Sequence, residues 1–539
     1  VTGATTETDV VVIGAGHNGL TAAGYLARRG LSVTVVEARD VIGGAALTEE
    51  FHPGFRNSVY SYVVSLLHPT VVADLDLARH GLDLIDRPSG SFCPQPDGRY
   101  LLVSRDPAVA RREIAKFSTR DAGRFDAFEA EIERVAPLFR KVAAQRAPNL
   151  GGGLADLFAA AGLADDLRRL GPEGQATLWR LMTSSIGDYL DGWFEGDALK
   201  GNFGYEGIIG NMVSPYAQGS AYVLLHHVFG ESSGKTGAWG HARGGMGAIT
   251  RAMASSAAAA GARIETNAPV AEVTVRDGRA TGVALADGRR IGARAVAGSV
   301  NPKVLYLKLL DPALLPDEFR RRIEGWRCRS GTFRMNVALS ELPRFAGMAA
   351  DEAERAALLK GTINIAPSLP YLEKAYDDAR VAGWAEAPVI SMCLPSTIDG
   401  SLAPPGQHVA SLFCQHFNPH LPNGEDWDDV RDEVADRVIS TVEAYAPGFA
   451  ASVVGRQIKT PKDLERELGL VGGDIFHGAL HLDQLFSLRP AAGFADHRSP
   501  VAGLYLCGSG SHPGGGVTGL PGRNAAGVIA SDLKRRRAA

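Results

Sequence analysis

Gly14, Gly16 and Gly19 stand in the spacing G-x-G-x-x-G, with Ala15 and Asn18 between them, and Glu37 follows after a helix-length interval. That combination can bind a dinucleotide. Gly14 permits a tight turn, Gly16 lets a pyrophosphate approach backbone N–H groups at the positive end of a helix, and Gly19 lets helix and strand pack closely. Glu37 can accept both hydroxyls of an adenosine ribose. Ala38, Arg39, Gly43, Gly44 and Ala45 continue the pattern as E-x-R-x-x-x-G-G, a second loop whose amides and guanidinium can neutralise the same pyrophosphate.

Those residues work only if a strand, a turn and a helix hold them. Val10 to Ile13 is an apolar, β-branched run of the kind expected in a parallel strand covered on both faces. A helix is predicted over 18–29, ended by Gly30, and a second strand over 32–36 puts Glu37 at its carboxyl end. Residues 1–8 are polar and are set aside from the fold.

The extended motif resembles the FAD-binding signature of the flavoprotein group that includes amine oxidases and phytoene desaturases. Trp239 to Met253 carries the G-G-x-G turn and helix of phytoene desaturases, and Ala268 to Val275 resembles their next strand, with Val270 as the backbone contact near adenine. Gly473 to Pro490 resembles a segment of a phytoene-dehydrogenase-like subfamily. Gly503 to Ala526 resembles the C-terminal FAD segment, and so implies contacts from Gly508, Ser509, Gly516, Val517 and Thr518. There the amides near Val517 and Thr518 would face the flavin pyrimidine oxygen. Gly514 to Gly519 repeats G-x-G-x-x-G, but too little chain follows for a second βαβ unit, which disfavours an NAD(P) site.

The resemblance implies an α/β fold: a Rossmann-like FAD-binding domain of the glutathione-reductase type with a discontinuous, mixed α+β substrate domain. The expected FAD domain spans 1–75, 235–302 and 490–539. The expected substrate and helical cover domain spans 76–234 and 303–489. Within it, helices are predicted from 88 to 160 and over 155–170 and 176–186. Phe125, Phe128, Ile132, Val135 and Leu138 recur at helical spacing. Strands are expected over 332–339, 388–395 and 409–417, with an amphipathic helix over 430–445. Asp277-Gly278 and Asp287-Gly288 predict a three-stranded meander over 270–297.

The 539 residues carry a net charge of -4, which argues against a nucleic-acid partner. No apolar run is long enough for a transmembrane helix and no signal pattern opens the chain, so a cytoplasmic protein is expected. The basic run Lys534 to Arg537 reads as a solvated helix end or as a peripheral membrane contact. The cysteines at 93, 328, 393, 414 and 507 are scattered, which speaks against a metal site and a flavin-linked dithiol.

The resemblance implies an FAD-dependent dehydrogenase that desaturates a small apolar or amphipathic substrate at a C–C bond, sending hydride to flavin N5. Oxygen or a quinone is the expected electron acceptor. A flavin amine oxidase is the alternative, although the aromatic pair common in such enzymes has no counterpart in 509–516. A non-redox isomerase or scaffold with structural FAD is the third reading. By resemblance His512 is the acid/base candidate, or else a loop histidine bonded to backbone. Tyr60, Asn57 and Ser58 are candidate ring or substrate neighbours, while His241, His477 and His481 read more readily as structural.

Overall fold

Val10, Val11, Val12 and Ile13 are all buried, as a strand with neighbours on both edges and cover on both faces requires. In the computed structural model, which describes residues 5–87, 90–228, 231–232, 235–236, 239–348 and 351–538, they end strand β1, Thr5–Ile13. β1 pairs in parallel with β2, Val33–Val36, and with the strand Arg290–Gly298. It starts earlier than the apolar run predicts. Thr5 to Thr8 align with Arg290 to Ala293, because ladder hydrogen bonds hold the polar residues that composition alone sets aside.

The sheet runs in the order Arg263–Glu265, β2, β1, Arg290–Gly298, Arg279–Leu285, Val270–Arg276, and Leu504–Leu506 also pairs with Arg290–Gly298. Its strands therefore come from the beginning, the middle and the end of the chain. The predicted meander forms, and its last strand doubles as the central parallel strand. Helix α1, His17–Ala27, is packed between Gly247–Ala259 and the C-terminal helix Leu520–Ala538. A β-carbon on Gly522 would lie 2.1 Å from the Asn18 carbonyl oxygen, so the two helices can meet only with glycine there.

The second sheet is ordered Val453–Lys459, Thr332–Leu339, His408–Phe417, Trp384–Cys393, Thr362–Ile365, Ser91–Pro94, Tyr100–Val103. Its three longest strands are the predicted ones. Ser91–Pro94 and Tyr100–Val103 replace the start of the predicted helical region; they are short, and their pairing with each other and with Thr362–Ile365 supplies what local sequence does not. Pro88, at the predicted boundary, lies outside the described residues. The long helix Thr119–Ala143 buries Phe125, Phe128, Ile132 and Val135, with Phe139 rather than Leu138 completing the face. Helix Leu154–Arg169 buries none of its residues, and Leu154, Leu157 and Phe158 stand exposed. No helix among the described residues is long and apolar enough to cross a membrane.

Candidate functional site

At the head of α1 the cap residue is Gly16 in extended conformation, and no side chain caps the helix, which leaves first-turn N–H groups free for a ligand. Glu37 is pinned at the end of β2: its Oε2 accepts from the Ala15 N–H at 2.8 Å and its Oε1 from the Arg39 N–H at 3.0 Å. Each oxygen keeps a lone pair for a ribose hydroxyl. The second loop lies against the first, with the Gly43 N–H donating to the Ala15 carbonyl at 2.9 Å. A β-carbon on Gly44 would come within 3.1 Å of Gly16 Cα, whereas one on Gly16 would meet no protein atom closer than 3.9 Å. Arg39 leans toward Glu49 at 3.5 Å, and its Nη1 is buried without a partner among the described residues. The Ala268 N–H donates to the Glu37 carbonyl and the Asn267 N–H to the Arg39 carbonyl, which brings Val270 to the same edge as Ala38. An open glycine cradle, an orphaned guanidinium nitrogen and a placed acid fit an FAD adenosine and pyrophosphate.

The C-terminal segment closes on this loop. Cys507 N–H donates to the Gly298 carbonyl, placing Gly508 beyond the sheet, and Asn18 Nδ2 donates to Ser509 Oγ at 3.1 Å. Gly516 has φ +117°, and Val517 has φ +57°, a left-handed conformation that β-branched residues avoid. Thr518 Oγ1 accepts from the Leu520 N–H at 3.0 Å at the start of the last helix.

Between the two halves lies a cleft with a cavity volume of about 140 Å³ that opens to solvent. The nucleotide-binding half contributes His17, Ala45, Ser509, Gly516 and Val517; the other wall includes Tyr60, Tyr62, Arg334, Phe413, Phe476 and His477. Among the described residues that line it there is no Asp or Glu, and Arg334 is the one fixed charge among them. His17 and His477 each keep an unpartnered ring nitrogen, Nε2 and Nδ1 respectively, among the described residues. Burial, reinforced by the neighbouring His477, pushes His17 down to about 3, and burial with the Arg489 charge pushes His477 to about 4. Both imidazoles are neutral at pH 7.

The sequence-derived candidates are placed unevenly. Tyr60 lines the cleft, but its hydroxyl donates to Glu467, and burial together with that carboxylate drives its pKa upward. Asn57 donates to the Asn336 side chain at Oδ1, and Ser58 Oγ accepts from the Met246 backbone N–H; both lie outside the cleft lining. His512 is also outside that lining. It is buried with Nε2 3.0 Å from the Val142 carbonyl oxygen and its ring 6.1 Å from Phe486, and burial pushes it to about 4. His241 contacts Asp399 at 3.1 Å; burial alone would raise that carboxyl, but bonds from His241, Ser401 and Gly244 hold it below the usual range. His481 faces Asp483.

Sequence reasoning missed His17 and Arg334. His17 occupies a variable position of the glycine motif. Arg334 has a visible signal, because Thr332, Arg334 and Asn336 alternate as polar residues in an otherwise apolar strand. Among the described residues no group of three or more His, Cys, Asp or Glu could hold a metal ion, and all five cysteines are free.

A family model described as flavin containing amine oxidoreductase matches residues 19–332. The rat protein called pyridine nucleotide-disulfide oxidoreductase domain-containing protein 2 is 43% identical, over 98% of this chain and 94% of that one. A lycopene-forming phytoene desaturase of Pseudescherichia vulneris is 29% identical, over 95% of this chain and 96% of its own. Among solved structures, a redesigned putrescine oxidase is similar with a TM-score of 0.61 at 18% identity, covering 99% of this chain and 100% of that one, a likeness of fold.

Proposed function

Because the chain belongs to the flavin-containing amine oxidoreductase family, and is thus an FAD-binding oxidoreductase, we propose that it desaturates a largely apolar substrate at a C–C bond. The observation that carries this reading is the cleft's charge: no carboxylate lines it among the described residues, so a protonated amine would find no counter-charge from them, while its walls are mostly apolar. When bound, FAD supplies the hydride acceptor.

The chain's own residues hold, orient and shield. Gly16, Gly43, Gly44 and Arg39 would receive the pyrophosphate, Glu37 the ribose, and Val270 the adenine edge. Ser509, Gly516 and the amides at Val517 and Thr518 would hold the flavin end, where the positive pole of the last helix would favour negative charge. Leu66, Phe413 and Phe476 keep water from the reacting carbon. The proton lost from the neighbouring carbon goes to an imidazole in the cleft, His477 or His17, each neutral with a free ring nitrogen. His512, held to a carbonyl away from the lining, braces the loop. A peripheral membrane contact would suit delivery of such a substrate.

The testing experiment is anaerobic mixing of the yellow holoenzyme with candidate hydrocarbon substrates. Bleaching with a product lighter by two hydrogens supports desaturation; a product that has lost an amine, or absence of bleaching by every substrate that binds, overturns it. Oxygen or a quinone serves as acceptor, because the described chain offers one dinucleotide unit and FAD uses it. Stoichiometric reduction by NADPH within a stopped-flow trace would refute that assignment.

A further inference from the structure

We propose that Arg334 anchors a carboxylate on the substrate, so that the cleft takes an amphipathic acid: an apolar body with one anionic end. This deepens the desaturase reading and rests on it for the identity of the cleft as the substrate site.

Arg334 rises from Thr332–Leu339, the strand next to the edge strand of the second sheet, and is 2% exposed. Its guanidinium sits beside a stacked pair of rings, 4.8 Å from the centre of Tyr62 and 6.0 Å from that of Phe413. Nη1 donates to the Leu412 carbonyl at 2.5 Å and Nη2 to Ser411 Oγ at 2.8 Å, both neutral acceptors. Nε is buried with no partner among the described residues, and the described groups acting most strongly on this cation, Tyr62, Cys414, Cys393 and Tyr205, include no Asp or Glu. Glu206 is a carboxyl that, with Arg334, acts on Tyr62; burial raises it to about 8, which favours its neutral form at pH 7.

A guanidinium stays charged even in such surroundings, and a buried cation without a counter-charge is costly. Arg334 nevertheless lines the apolar cleft. A carboxylate fits what remains: it is planar, it can take parallel N–H donors, and it would restore neutrality. A neutral hydrocarbon would leave both the charge and the Nε donor unsatisfied.

The test uses FAD-loaded protein titrated with dodecanoate and with dodecanamide, followed by flavin absorbance and by calorimetry. The expected result is about 10- to 100-fold tighter binding of the acid, the scale of a charge-assisted bond. Arg334→Met should abolish that preference, and Arg334→Lys should restore part of it. Equal affinities in the unaltered holoenzyme, or an unchanged preference in Arg334→Met, would overturn the proposal. The two-probe comparison on the unaltered protein decides the matter even if the variants do not fold. Neither readout needs turnover: a protein that prefers dodecanoate yet oxidises no C–C bond would refute the desaturase reading and leave the anchor standing.

Discussion

At Gly16 the protein itself has room for a side chain, since the nearest heavy atom to an added β-carbon would be Gly44 Cα at 3.9 Å. Packing therefore does not demand glycine there, whereas at Gly19 a β-carbon would lie 2.0 Å from the Gly14 carbonyl oxygen. Gly16→Val is expected to fold with a wild-type circular dichroism spectrum and to lose FAD, because the valine would occupy the pyrophosphate's place at the helix N-terminus. A variant that keeps full flavin absorbance per chain would refute this. The histidines separate in the same manner. His477 lines the cleft; His512 does not, and its Nε2 sits 3.0 Å from the Val142 carbonyl oxygen. In fully FAD-loaded variants, His477→Ala should slow flavin reduction by roughly 10²-fold or more, and His512→Ala should reduce at nearly the wild-type rate. The reverse order would return the proton step to His512. His512 was legible only by its position in a familiar loop, since no spacing rule reveals that its ring turns toward the carbonyl of a distant helix.

The element that binds the two halves is the segment from Asp474 to Arg489, whose sequence is distinctive but whose reason emerges only in three dimensions. Arg489 is fully buried and donates to the carbonyls of Ser509, Phe476, Gln484 and Gly478, while Asp474 accepts the N–H groups of Phe476, Gly478 and Arg329. One guanidinium thus fixes the cleft wall at Phe476 and His477 to the C-terminal loop at Ser509. Arg489→Met should lower stability by about 3 kcal/mol or more, because several buried carbonyls lose their donor together. Arg489→Lys should recover little of it, since a point charge cannot reach a fan of acceptors. Urea denaturation followed by flavin fluorescence checks both, and a wild-type midpoint in either variant would show the clamp to be dispensable. Elements with strong local signals were readable in advance: Thr332–Leu339 has the predicted bounds, and His408–Phe417 adds one residue to its prediction. Ser91–Pro94 was not readable, because four residues acquire strand geometry only when Thr362–Ile365 pairs with them.

Across the whole molecule, the sequence made the nucleotide-binding half legible because glycine conformations and strand–turn–helix order are local properties, while the cleft was illegible because its walls come from chain stretches hundreds of residues apart. Burial of many titratable groups, at the cleft and elsewhere, has a consequence for stability against pH. His17 and His416 are pushed to about 3 and His227, His477, His497 and His512 to about 4, in each case chiefly by burial. The unfolded chain would protonate these residues near pH 6.5, so below that value it binds more protons than the native state. Their stabilising contribution is full above pH 6.5 and is lost as pH falls through 4, and for His17 and His416 through 3. Glu206 has the opposite sign: burial raises its carboxyl to about 8, so the native state keeps a proton that the unfolded chain releases near pH 4.5. Its contribution is full below 4.5 and is gone once pH has risen through 8. The melting temperature of the holoenzyme should therefore fall steeply between pH 6.5 and 4. Glu206→Gln, which carries the neutral form permanently, should match wild type near pH 5 and gain on it steadily up to pH 8. Thermal melts of both proteins read by flavin fluorescence decide this: a wild-type curve flat from pH 7 to 4 would contradict the histidine assignment. A Glu206→Gln difference independent of pH would show that this carboxyl does not titrate in the native state as its burial requires.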